Sequence, residues 1–162
     1  MRSGEGWMQG IKDAFYRMLR GRIAAANPGR TVVIRGVVRP GVVVTENELP
    51  SAISGVFAPE VFCLEWTAAE TMRREEIPLW KLRCVIRYAS DGTVSGGGMD
   101  RGRALAAMDA ELVTALEASP ANFIKVPADG TNIFWGDPVL GAEAMKAERV
   151  ERAVTVEVFG YE

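Results

Sequence analysis

The chain has 162 residues, a formal net charge of −2, 48% hydrophobic and 25% charged residues, and no histidine. This length suits one domain over residues 1–162 with a real core, and the composition is that of an ordinary globular protein. The small net charge argues against general attraction to nucleic acid or membranes. Without histidine, a Ser-His-Asp triad and the commonest metal ligand are both excluded.

The first predicted element is an amphipathic helix from about Trp7 to Arg20, preceded by a flexible segment at residues 1–6. Apolar residues recur there at helical spacing, while basic residues such as Arg17 fall on the other side. Gly21 predicts fraying or the end of the helix. The region has no hydrophobic signal core, and no apolar run nears 18 residues, so we expect neither a visible export signal nor a membrane span.

The next region, "TVVIRGVVRPGVVVTE", predicts one or two strands with a turn or kink at Pro40-Gly41. Residues 47–55 predict a loop. A strand from Val61 and a second strand in "REEIPLWKLRCVIRYAS" then follow. Four charged residues between them predict the tip of a long hairpin: Arg73, Arg74, Glu75 and Glu76.

Alternation within the second of these strands predicts one buried and one exposed face. Leu82 and Cys84 alternate with Arg83, and the pattern continues to Arg87. Basic residues on a sheet also occur in nucleic-acid-binding surfaces, but the overall acidity weakens that interpretation. We therefore interpret the arginines as a solvent or subunit-contact face.

A second helix is predicted from Asp100 to Ser119, where Asp100 caps the first turn and Pro120 forbids continuation. Short strands follow, and "RAVTVEVFG" predicts the last one by its alternation. Consecutive strands with hairpin signals favour an antiparallel or mixed sheet with the two main helices packed on one face. The predicted fold class is α+β.

The two cysteines, Cys63 and Cys84, lie in apolar strand-like contexts without a C-x-x-C pairing, which predicts buried thiols. Trp66, Trp80 and Trp135 also lie in strand-like segments. Core packing is the simplest interpretation of these tryptophans, and anchoring of a protein interface is the alternative, because tryptophan is enriched where surfaces become buried.

A glycine-rich loop between a strand and a helix, "YASDGTVSGGGMDRGRAL", has the general layout of a phosphate-binding site. The P-loop pattern fails because Gly98 and Met99 stand where lysine and serine or threonine are required. Asp100 would also place a carboxylate where the anion must lie. We therefore interpret Gly96, Gly97 and Gly98 as a connection that orders against a partner or is simply flexible.

Charges are divided unevenly along the chain. Residues 1–40 contain eight basic and two acidic residues, a balance of +6, whereas the remainder contains eleven basic and nineteen acidic residues, a balance of −8. One interpretation is a solvated surface without special meaning. The other is that a basic face of one copy meets an acidic face of a neighbouring copy.

The order of elements over nearly the whole chain resembles the tail terminator (tail completion, minor tail) proteins of long-tailed bacteriophages and prophages. The segments that carry the resemblance are "WMQGIKDAFYRMLRGRI", "TVVIRGVVRPGVVV", "VFCLEW", "KLRCVIRYAS", "MDRGRALAAMDAELVTALEASP" and "VERAVTVEVFG". "MRSGEG" and "GDPVLGAEAMKAER" have no clear counterpart in that family.

The resemblance implies a structural protein, not an enzyme, with no catalytic residue, cofactor or metal. It implies a six-membered ring of copies that caps the tail tube and allows the head to join. The partners would be further copies, tail-tube proteins and head–tail connector proteins, with no membrane and no specific nucleic acid. The protein would act in the bacterial cytoplasm during assembly and then reside in the virion tail.

Several charged residues and glycines are the candidate contacts of such an assembly. They are Arg17, Arg20, Arg73, Arg74, Glu75, Glu76, Gly96, Gly97, Gly98 and Arg101. The alternative function is a dimeric ligand-binding or regulatory module with a ferredoxin-like sheet, which would need a persistent apolar pocket. A small phosphate-handling enzyme ranks third, because the P-loop pattern fails and Asp100 would place a carboxylate where the anion must lie.

Overall fold

The computed structural model describes residues 4–45, 58–74, 77–93, 95–117, 124–126, 131–146 and 148–161. These residues form two helices, α1 (Gly4–Ala26) and α2 (Arg101–Glu117). The strands are β1 (Thr31–Ile34), β2 (Val37–Pro40), β3 (Val42–Val44), β4 (Phe62–Arg74), β5 (Ile77–Ser90), β6 (Ile124–Val126), β7 (Thr131–Trp135), β8 (Val139–Leu140), β9 (Ala144–Lys146) and β10 (Arg149–Tyr161). The fold is α+β, as predicted.

The main sheet is built on three long strands. Its order is β3-β4-β5-β10-β7-β6, and β8 and β9 pair with β10 along the same edge as β7. All pairs are antiparallel except β3 with β4, so the sheet is mixed. β1 and β2 form a separate two-stranded hairpin beside β3.

Both helices pack on one face of the sheet and on each other. The alternating residues of β5 and β10 that face them are fully buried, including Ile86 and Val156. From α1, Phe15 meets Trp66 and Trp135 edge to face, with ring centroids 5.8 and 5.7 Å apart. Such aromatic pairs add about 0.5–1.5 kcal/mol each beyond the area they bury. Trp135 is therefore a core residue, while Trp66 is only partly buried.

The first helix is longer than predicted at both ends. It begins at Gly4, inside the segment expected to be flexible, and it continues through Gly21 to Ala26. Gly21 does not end the helix because buried side chains hold both flanks, Leu19 before it and Ile23 after it. Tertiary packing of this kind outweighs the roughly 1 kcal/mol that an internal glycine costs.

The turn expected at Pro40-Gly41 separates β2 from β3, but the prediction missed a second turn. Ile34 pairs with Val37, so only Arg35 and Gly36 connect β1 to β2. Both have positive φ, 50° and 79°, which is the geometry of a two-residue hairpin turn that matches the twist of the strands. The segment thus forms three strands.

The remaining predicted elements lie close to their expected positions. β4 and β5 pair from Cys63 opposite Arg87 to Arg74 opposite Ile77, which confirms the long hairpin, and β10 includes the whole predicted last strand. Cys63 and Cys84 are buried thiols, not disulfide-bonded. The loop predicted at 47–55 lies outside the described residues, as do Glu75, Glu76 and the predicted end of α2 at Ser119-Pro120.

Candidate functional site

The glycine loop closes on itself through the residue that precedes α2. The Asp100 carboxylate accepts hydrogen bonds from the Thr93 hydroxyl at 2.6 Å and the Thr93 N–H at 2.8 Å. These two bonds lower the pKa of Asp100. A side chain at Gly96 would collide with this carboxylate, since an added Cβ would lie 2.4 Å from Asp100 Cγ. Gly97 and Gly98 have positive φ, so glycine suits the loop sterically at all three positions.

Asp100 was predicted to begin the second helix and to disfavour an anion in the loop. As expected for the residue that begins the helix, its carbonyl accepts a hydrogen bond from the Ala104 N–H at 2.9 Å. Both oxygens of its carboxylate, however, accept hydrogen bonds from Thr93 of the loop. A negative group at the centre of the loop is unfavourable for phosphate, which supports the interpretation of this loop as non-phosphate-binding.

An open cleft of about 470 Å³ lies between the glycine loop and the start of β10. Its lining residues are Asp91, Gly97, Gly98, Arg101, Lys146, Glu148 and Arg149. Charges of both signs face the cleft, and Arg149 Nε lies 3.5 Å from Asp91 Oδ1. The cleft is polar and wide open, unlike the enclosed apolar pockets that bind small molecules.

A buried ion pair joins the start of the hairpin to α2, and sequence reasoning missed it. The Arg30 guanidinium, 9% exposed, lies 2.7 Å from Glu111 and 3.3 Å from Glu60, and its plane lies over the Phe62 ring. Glu60 also accepts a hydrogen bond from the Ser90 hydroxyl. Arg30 therefore neutralises acidic residues of its own chain, so its charge does not contribute to an exposed basic face.

The predicted interface arginines of α1 lie on the outer side of the helix layer. Arg17 is exposed, and the Arg20 guanidinium lies 5.8 Å from the centre of the Tyr16 ring. Arg22 instead turns inward: it donates a hydrogen bond to the Ala115 carbonyl at 2.9 Å and lies over the Trp135 ring. This inward position agrees with the helical pattern, which places Arg22 on the apolar face.

Arginines of the sheet face away from the helices and pair across strands. Arg83 lies 3.0 Å from Glu157 on β10, and Arg87 lies 3.1 Å from Glu65 on β4. This open face thus has alternating charges that compensate one another within the chain. Arg73 and Arg74, the two arginines of the predicted hairpin tip, end β4 opposite the start of β5. The two glutamates of that tip, Glu75 and Glu76, lie outside the described residues.

A polar network fixes the edge of the sheet beyond β10. Arg152 of β10 lies 2.8 Å from Asp109 of α2, donates to the Gly141 carbonyl, and lies 3.2 Å from Glu143. Tyr88 donates to the same Asp109 carboxylate, and burial followed by this bond raises the pKa of Tyr88. The network therefore holds the connection between β8 and β9 in place.

Large apolar side chains are exposed in two segments of the chain. The valine hairpin, residues 31–40, presents Val33, Val37 and Val38 with exposed fractions of 63%, 58% and 66%. The β8–β9 segment, residues 137–146, presents Val139, Leu140 and Met145 with exposed fractions of 67%, 40% and 66%. Met99 on the glycine loop is the remaining exposed large apolar side chain in the described part of the chain.

These two segments were not among the predicted contact residues. The valine hairpin has a sequence signal, since two valine-rich runs separated by a residue and a glycine are typical of a two-residue hairpin. The β8–β9 segment has no such sequence signal, because its two strands have only two and three residues.

Within the described residues, no group of three or more cysteine, aspartate and glutamate residues is placed to hold a metal ion. Neither helix found there is long and apolar enough to cross a bilayer. The surface of the described residues carries exposed apolar side chains and charged side chains, which are the ordinary components of a protein interface.

No protein-family model matches the chain, and no curated protein matches it.

Proposed function

We propose that this protein is a structural component of a bacteriophage or prophage tail, a tail terminator whose copies form a ring on the finished tube. The ring stops growth of the tube and gives the head a surface on which to dock. The role is one of assembly control without catalysis, metal or cofactor. It follows from the resemblance in element order, and the α+β fold is consistent with it.

The observation that best supports this proposal is the position of the exposed apolar side chains. They lie on the valine hairpin and on the β8–β9 segment beside β10, where they are open to solvent. Exposed apolar groups of this size favour burial against another protein surface. A protein that repeats one contact around a ring needs two such surfaces on each copy.

In this proposal the charged tip and the glycine loop contact the tube and the connector. Arg73 and Arg74 end the longest hairpin of the sheet, and Gly97 and Gly98 with Arg101 line the open cleft. Arg17 and Arg20 on the outer side of α1 are further candidate contacts, because basic side chains on a surface steer association with acidic partners.

The proposal is tested by measuring solution mass by light scattering over a concentration series. We expect a species of about 106 kDa, six times the 17.6 kDa of one chain, because a closed ring has a defined number of copies. A stable dimer would contradict the ring and favour the ligand-binding module. A monomer at every concentration would contradict it too, unless purified tail tubes recruit the protein.

The same tubes test the contact assigned to the hairpin tip. A variant with Arg73→Glu and Arg74→Glu is expected to keep the mass of the ring and to lose binding to tubes, since like charges then face the tube. Arg103→Glu on α2 is the control, because Arg103 is exposed and glutamate is favoured in the first turn of a helix. Unchanged tube binding by the tip variant would show that Arg73 and Arg74 do not contact the tube.

A further inference from the structure

We propose that the valine hairpin of one copy binds the β8–β9 segment of the next copy, head to tail. The occupant of each apolar surface is thus a second copy of this chain. The number of copies in the ring rests on the proposed function. The contact between two copies rests on the exposed side chains and charges of the valine hairpin and the β8–β9 segment.

The two surfaces cannot cover each other within one chain. The valine hairpin lies beside β3, because Val32 and Ile34 pack against Val43, Val61 and Cys63. β8 and β9 lie beyond β10, at the other side of the sheet. With strands about 4.8 Å apart, four spacings separate these edges by about 19 Å.

Their shapes favour an intermolecular contact. Val33 and Val38 are directly opposite each other in the hairpin, so they form one exposed apolar pair on a two-stranded ribbon. Val139 and Met145 are equally exposed on two short strands held against β10. Both surfaces rest on paired strands, so little conformational entropy is lost when they meet.

Charge decides which surface meets which. Residues 31–41 contain Arg35 and Arg39 and no acidic residue. Residues 137–148 contain Asp137 and Glu148 against a single lysine, in addition to Glu143, which is already paired with Arg152. Two hairpins would bring like charges together, and so would two β8–β9 segments. A hairpin against a β8–β9 segment joins opposite charges around apolar centres, which is the usual arrangement of a specific interface.

Such a contact uses different surfaces on the two copies and is therefore heterologous. A heterologous contact leaves one unused surface of each kind on any open chain of copies, so further copies can add. The chain of copies closes into a ring when the rotation between neighbours returns to the start, and otherwise grows into a filament.

Cysteine cross-linking tests this contact on the full chain. Val38→Cys and Val139→Cys are made separately and together, and each protein is oxidised mildly, alkylated and run on a denaturing gel without reductant. The native Cys63 and Cys84 are 5% and 0% exposed, so they contribute little background. The unmodified protein measures that background directly.

We expect the double variant to give a ladder of covalent multimers, at least tenfold more than either single variant. Covalent dimers from Val38→Cys alone at a similar yield would show hairpin against hairpin and overturn the proposal. Absence of cross-links in the double variant would also overturn it, even if light scattering shows six copies, because the ring would then use other surfaces. A ladder from a protein whose mass never reaches six copies would support the contact and contradict the ring.

Discussion

Arg30 shows how a charge can be internal to a fold. Its side chain is 9% exposed and that of Glu111 is 10% exposed, so both charged groups are largely buried. Removing one partner of such a pair leaves the other charge buried and uncompensated, which costs about 3–5 kcal/mol. By contrast, the pair of Arg87 and Glu65 is about half exposed on both sides and is worth less than about 1 kcal/mol.

We therefore expect Arg30→Met to lower the free energy of unfolding by about 3 kcal/mol, because Glu111 then lacks its cation. Adding Glu111→Gln removes the stranded charge and is expected to recover part of the loss. Urea denaturation at neutral pH measures all three proteins, with Arg87→Met as the control, expected to lose less than about 1 kcal/mol. Equal losses for Arg30→Met and Arg87→Met would contradict this account of the buried pair.

No pattern in the sequence predicts this ion pair, for a physical reason. Arg30 lies 30 residues from Glu60 and 81 residues from Glu111, so no local pattern connects them. Asp100 was different: its place before an amphipathic helix predicted the helix start correctly, although its bonds to Thr93 depend on how the loop folds back. Residue roles set by local spacing were predictable, and roles set by tertiary contact were not.

At the scale of elements, the approach of α1 to β10 is set by the lack of a side chain at Gly160. An added Cβ there would lie 2.5 Å from Ile11 Cγ1 and 2.6 Å from Ile11 Cδ1. Ile11 is 1% exposed, so its side chain has little room to move. The helix and the strand are therefore in contact at van der Waals distance, and their spacing depends on this glycine.

Gly160→Ala is expected to lower the free energy of unfolding by about 1–3 kcal/mol through overpacking. Ile11→Ala alone is expected to cost about 2–5 kcal/mol through a cavity. The double variant is expected to lose less than the sum of the two, because the alanine methyl enters the space that Ile11 leaves. Denaturant unfolding measures the cycle, and strict additivity would contradict direct packing.

Gly102→Ala provides the control for backbone effects. Gly102 lies in α2 with nothing within 4 Å of an added Cβ. Alanine there is expected to stabilise the protein by about 0.5–1 kcal/mol, since glycine is a poor helix former. A loss of stability at Gly102 similar to that at Gly160 would point to the backbone and not to packing against Ile11.

Elements with a long regular pattern were predicted well. β5 and β10 alternate apolar and polar residues over many positions, so both their existence and their buried faces followed from the sequence. β8 and β9 are too short for any period, and the bonds from Arg152 to Gly141 and Glu143 hold the chain between them in place. Short strands of this kind depend on neighbours, so local sequence does not identify them.

At the scale of the whole molecule, the sheet order has a consequence for assembly. β10, the last described strand, lies inside the sheet, with β5 on one side and β7, β8 and β9 on the other. The strand order was not predictable from the order of elements along the chain, and neither were the two exposed segments that it places at opposite edges. Those edges give the molecule two different surfaces in opposite directions, which is the requirement for head-to-tail assembly.

Exchange of charges between the two surfaces provides a test on the whole assembly. Arg35 has φ 50°, a left-handed conformation that aspartate tolerates well, so Arg35→Asp reverses the hairpin charge without new strain. Asp137 is exposed, and Asp137→Arg reverses the charge beside β8. Each variant alone then brings like charges together at every contact, so we expect association to weaken about tenfold in both, by about 1.4 kcal/mol.

An equimolar mixture of the two variants is expected to regain the mass of the unmodified assembly. The Arg35→Asp hairpin complements the Asp137→Arg surface, and the two unchanged surfaces complement each other, so copies of the two kinds alternate. A ring of six closes with this alternation because six is even, whereas an odd ring must keep one repulsive contact. Light scattering measures the mass of the mixture and of each variant alone. In the control mixtures, the Arg103→Glu protein replaces one of the two variants. A mixture that associates no better than its components would mean that these two charges do not face each other across the contact.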